Sequence, residues 1–111
     1  MPGRYPTTPD GRYFVVGTTL WRCTNPNLPA DVREEAVKRL MNARRSVAKG
    51  KLENDAEAIA RARRAVDRAK RDLGERGKPW WTDGSPDYNR HKVTNSPYRE
   101  WFESLPAIEP D

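Results

Sequence analysis

The sequence predicts an α+β fold: an antiparallel, coiled-coil-like helical hairpin, an N-terminal β-hairpin, and a C-terminal aromatic segment ending in a short helix. Three observations predict it. Residues 12–24 hold two aromatic and β-branched runs around Gly17-Thr18. Residues 29–49 and 54–73 each repeat alanine and a larger aliphatic at spacings of three and four. Residues 79–95 are dense in turn residues and aromatics, and Ser96-Pro97 follows them.

Composition sets the limits within which such a fold must work. The chain has 111 residues with 21 Lys+Arg against 16 Asp+Glu, a formal charge of +5. Its mean hydropathy is −1.03. Leu, Ile, Val and Phe together number 17, a small share for a chain with a generous core. Four Trp, four Tyr and two Phe offset this, because each buries a large area. One small domain over residues 12–105 is expected, behind a flexible lead (1–11) and ahead of a tail (106–111). The lead owes its expected flexibility to Pro2, Gly3, Pro6, Pro9 and Gly11.

The elements follow from local chemistry. Arg12-Tyr13-Phe14-Val15-Val16 and Thr19-Leu20-Trp21-Arg22-Cys23-Thr24 read as strands joined by a two-residue type II′ turn at Gly17-Thr18. Pro29 suits a first helical position, with Asp31, Glu34 and Glu35 set to favour the helix dipole. That helix is expected to stop at Gly50. Asn54-Asp55-Ala56-Glu57 reads as a capping box opening the second helix, with Gly74 and Gly77 as stops. Ala36, Leu40, Ala43 and Val47 form one apolar stripe; Ile59, Ala62, Val66, Ala69 and Leu73 form the other. The short linker from Gly50 to Glu53 leaves only an antiparallel return, and alanine layers let the two axes approach closely. In the last element Ser96 is the expected N-cap and Pro97 the first helical residue. Tyr98, Trp101, Phe102 and Leu105 then fall on one face.

The run from Pro79-Trp80-Trp81 through Asp83-Gly84-Ser85-Pro86-Asp87-Tyr88-Asn89-Arg90-His91 to Asn95-Ser96-Pro97-Tyr98 resembles a group of small bacterial proteins of unassigned role. The resemblance covers roughly residues 11–105. Members of the group are often labelled Tol-type biopolymer transporters. That label implies a membrane anchor, and no apolar run long enough to span a bilayer occurs here. The resemblance therefore implies a compact bacterial domain and brings no catalytic residues.

Several functional classes are excluded or left without a signal. The N-terminus lacks the apolar core of a secretory signal, and Cys23 stands alone, so neither an internal disulfide nor a paired-cysteine zinc site can form. A reducing, cytoplasmic setting is expected. No Walker loop, GxGxxG, HExxH or GxSxG motif occurs. No cofactor is expected.

Charge is uneven along the chain: +2 over residues 1–28, +6 over 29–78 and −3 over 79–111. The helical hairpin is the basic part, and arginine outnumbers lysine fifteen to six. Guanidinium binds phosphate bidentately, so nucleic acid is the expected partner. Arg61, Arg64, Arg68 and Arg71 are spaced by three, four and three along one helical face, with Arg44 and Arg45 on the first helix. These six are the candidate binding residues, for contacts without sequence specificity. The plainer reading of the same pattern is a solvated face, diluted by carboxylates such as Asp67 and Asp72. A second class of partner is another protein, or a second copy, recruited along the hairpin. A third reading places a small enzyme or metal site in the loop of Asp83, Asp87, Asn89 and His91. Pro86 breaks any helix that would align those aspartates, and such residues more often bond their own backbone. The expectation is a non-enzymatic binding module. Tyr13, Phe14, Trp21, Trp80, Trp81, Tyr88, Trp101 and Phe102 are expected to form core rather than to stack on bases.

Overall fold

A computed structural model of the chain describes residues 5–106; residues 1–4 and 107–111, the first part of the expected lead and most of the tail, lie outside them. The order is β1 (Tyr13–Val16), β2 (Thr19–Arg22), α1 (Ala30–Leu52), α2 (Ala56–Asp72), a 3-10 turn (Val93–Asn95) and α3 (Arg99–Glu103). The architecture is α+β, as the sequence predicts. The chain gathers into two compact units. One holds the residues up to Cys23 and those from Gly84 onward; the other is Thr24–Asp83.

In the first unit β1 and β2 pair antiparallel, with Val16 opposite Thr19, so Gly17-Thr18 is the two-residue turn. Gly17 takes a φ of +64° and Thr18 does not share it, which matches a type II′ turn. A lone two-stranded hairpin is marginal in water. Both of its edges are covered here. On the β1 side the Val15 amide donates to the Pro6 carbonyl and the Thr8 amide to Tyr13. Thr8 is buried, and its hydroxyl both accepts from the Tyr13 amide and donates to Asp10. Residues 6–12 are thus held by main-chain pairing that composition does not reveal, where a flexible lead was expected. On the β2 side the Leu20 amide donates to His91 and the Arg90 amide returns a bond to Leu20. Tyr13, Val15, Leu20 and Val93 form the buried centre. Tyr13, Tyr88 and Tyr98 meet edge to face around it, at centroid distances of 5.5–6.5 Å.

The expected aromatic core is narrower than composition suggests. Of the eight aromatics expected there, only Tyr13 is fully buried; the others are half-buried. Alanine, leucine and valine fill the innermost positions instead. The C-terminal helix is also shorter than expected. Tyr98, not Ser96, is its N-cap, because the Ser96 hydroxyl is engaged one turn earlier, donating to the Val93 carbonyl and accepting from the Tyr98 amide.

The second unit is the helical hairpin. Ala36, Leu40, Ala69 and Leu73 form its buried cluster, with Leu28 and Val66 packed against it. Ala43 and Ala62 are buried farther along the seam. Pro29 is the N-cap of α1 rather than its first residue, and its carbonyl accepts the Arg33 amide. Gly50 does not end α1; the helix runs on to Leu52. A Cβ at Gly50 would lie 2.9 Å from Ile59 Cγ1 and 3.2 Å from the Ile59 amide nitrogen, so the glycine serves close helix approach. The stop falls to Asn54, at a φ of +52°. The Asn54 amide donates to Lys51 and the Asp55 amide to Gly50, which together make a Schellman motif. Asp55 then caps α2, accepting from the Ala58 amide at 3.0 Å, so the cap sits one residue later than the sequence pattern implies. Gly74, at a φ of +80°, closes α2 with the same motif, through Gly74 to Arg71 and Glu75 to Lys70. The Asn25 amide bonds the Leu73 carbonyl, fixing the entry segment to the end of α2.

Candidate nucleic-acid interface

Helix α2 turns Ala62, Ala69 and the following Leu73 inward, and this fixes where its basic residues point. Each helical residue advances about 100° around the axis. Arg61 and Arg63 therefore lie on opposite flanks of the buried Ala62.

On one flank the two helices enclose a groove of about 530 Å³. Arg61, Arg64 and Arg68 of α2 face Arg39, Asn42 and Ser46 of α1 across it. Ala43 and Ala65 lie between these walls, where larger side chains would fill the hollow. A second hollow is lined by Arg44 and Val47 of α1, Arg63 and Val66 of α2, and Arg76. The outer face of α2 carries a third, lined by Arg63, Arg64, Asp67, Arg68 and Arg71.

The ion pairs divide these arginines into two sets. Arg39 binds Glu35 at 3.1 Å and Asp72 at 2.8 Å, and the Asp72 bond chiefly raises its pKa above the ordinary value. Asp67 accepts from Arg71 at 2.8 Å and Arg76 at 3.1 Å, and these bonds hold its carboxyl below the usual range, Arg71 first. Among the described residues no carboxylate pairs with Arg61, Arg63, Arg64 or Arg68, nor with Arg44 or Arg45. The central stretch of α2 thus keeps its charge unopposed.

Of the six candidate residues, Arg61, Arg64 and Arg68 converge on one groove. Arg71 lines the outer face and is committed to Asp67. Arg44 lines the opposite hollow, and Arg45 lines none of the three. On the α1 wall Asn42 and Ser46 were missed in the sequence, although with the basic Arg39 they fall at spacings of three and four, a helical signal.

The loop residues are placed differently. Asp87 Oδ2 accepts from Arg22 at 2.6 Å, and Oδ1 from the Tyr13 hydroxyl and the Asn89 amide. Burial alone would push the Asp87 carboxyl up, but these donors outweigh it and hold it below the carboxylate range. Burial, with Asp87 adding to it, pushes the Tyr13 phenol up to about 12. Asn89 Oδ1 accepts from the Arg22 amide at 2.9 Å. His91 packs edge-on against Tyr88. Asp83 belongs to the other compact unit. Among the described residues no cluster of three or more His, Cys, Asp or Glu is placed to hold a metal, and no helix is long and apolar enough to cross a membrane.

No protein-family model, curated protein or solved structure matches the chain.

Proposed function

We propose that this protein is a non-enzymatic binding module whose helical hairpin engages the phosphate backbone of nucleic acid without sequence specificity. The observation that carries this reading is the convergence of Arg61, Arg64 and Arg68 on a single groove with no carboxylate partner among the described residues. Guanidinium groups left this way are free to exchange water and counterions for phosphate oxygens. Asn42 on the facing wall adds a neutral amide donor, while the Ser46 hydroxyl is spent on the Asn42 carbonyl. The groove holds no aromatic ring, so it offers no base-stacking platform. An electrophoretic shift assay with labelled single-stranded and duplex oligonucleotides, at two salt levels, tests the reading. A retarded band that fades at the higher salt supports it. Absence of any shift in dilute buffer removes it.

A second reading, a protein partner or a second copy along the hairpin, draws on the surface of α1. Val32, Val37, Met41 and Leu52 are exposed there, Leu52 at 87%. Light scattering across a concentration series separates the two readings: growth in mass with concentration favours this one.

A further inference from the structure

We propose that α2 seats in the major groove of B-form DNA, with arginines on its two flanks reaching phosphates of the two strands. This rests on the nucleic-acid reading above and adds which duplex is bound and which element enters it. The decisive juxtaposition is that of Arg61 and Arg68 on one flank of α2 with Arg63 on the other. Arg61 and Arg68 line the groove against α1, whereas Arg63 lines the opposite hollow with Arg44. Between the flanks, on the outer face of α2, Arg63, Arg64 and Arg68 border one hollow, so the two flanks meet across that face. Among the described residues none of these has a carboxylate partner. A surface for one phosphate strand needs cations along one flank only; cations on both flanks match a helix lying between two strands.

Size agrees with this placement. A helix with its side chains is about 10–12 Å across. The B-form major groove is about 12 Å wide and admits one helix. The A-form major groove of duplex RNA is too deep and narrow for this. Ala60, exposed on the outer side of α2, leaves room for close approach to the base edges. Asp67 is the one acidic residue among those lining the outer hollow, and it is already engaged by Arg71 and Arg76. Two cations for one carboxylate leave that patch positive.

Fluorescence anisotropy with the full chain tests the proposal, using a labelled DNA duplex of about 20 base pairs, an RNA duplex of the same sequence, and the separate strands. The DNA duplex should bind about tenfold more tightly than the RNA duplex or either strand. Arg63→Ala and Arg68→Ala should weaken binding to the DNA duplex by similar factors, each about threefold or more, with helical circular dichroism unchanged. Equal or tighter binding of RNA or of single strands would overturn groove insertion while leaving phosphate recognition intact. So would a loss confined to Arg68→Ala with Arg63→Ala silent. Failure to bind any of the probes would remove both the insertion and the reading beneath it.

Discussion

The Arg22 guanidinium meets the Asp87 carboxylate at 2.6 Å, joining β2 to a loop residue sixty-five positions further on. Only 1% of the Arg22 side chain is exposed, so the ion pair is drawn out of water on the Arg22 side. Asp87 also receives the Tyr13 hydroxyl, which in turn accepts the Tyr88 amide at 2.7 Å. One carboxylate therefore ties both strands to the turn-dense segment. Asp87 and Asn89, which looked like part of a loop site in the sequence, are occupied in holding that segment in place.

Asp87→Asn should lower the unfolding free energy by about 3 kcal/mol, because it removes the charged half of a short ion pair to a buried guanidinium. Urea unfolding at neutral pH measures the loss. Asp87 has a folded pKa below its unfolded value of about 3.9. Its contribution is thus complete above that unfolded value and disappears as pH falls through the folded one. The gap between the original chain and the variant should be full at about pH 6 and close below about pH 4. A gap that stays constant into acid would show that the ion pair is not its source.

Gly50→Val should destabilise the hairpin by about 1–3 kcal/mol, since added atoms would press on Ile59 where a Cβ already lies 2.9 Å from Cγ1. A thermal melt followed at the helical band reads this directly. A melting temperature equal to or above that of the original chain would mean that the helices do not approach closely at this point.

Asn54→Ala should cost about 1 kcal/mol because its backbone is left-handed, whereas Asn54→Gly should cost nothing or stabilise. Asp55→Ala should also cost about 1 kcal/mol through loss of the bond from the Ala58 amide. Equilibrium denaturation of the three variants side by side separates the turn from the cap. Equal losses for Asn54→Ala and Asn54→Gly would contradict the role given to backbone handedness.

Features set by local periodicity were legible in the sequence. The two stripes of α1 and α2 could be read because burial repeats with the helical turn, and Ala36, Leu40, Ala43, Ala62 and Ala69 are indeed inside. The β-hairpin was legible because a glycine first in a two-residue turn restricts the turn type. Long-range partners were not legible. Nothing local announces that Pro6 and Thr8 border β1, or that His91 bonds Leu20. Gly50 misled because a glycine suits a helix stop and a close contact equally well. In the site, Arg61, Arg64 and Arg68 could be placed on one face by spacing alone. The facing wall was harder to single out, because Asn42 and Ser46 beside Arg39 carry neither charge nor an apolar repeat of their own. The engagement of Arg71 was half visible, since Asp67 lies four residues before it, but Arg76 joins the same carboxylate from beyond the helix.

The most direct test of the unopposed arginines is the salt dependence of binding to a DNA duplex, compared between the original chain and Arg61→Ala/Arg64→Ala/Arg68→Ala. Each lost phosphate contact should reduce the slope of log K against log salt by about 0.9. The triple variant should therefore bind more weakly at every salt concentration and show a slope shallower by roughly two to three units. An unchanged slope and affinity would show that these three side chains face only water.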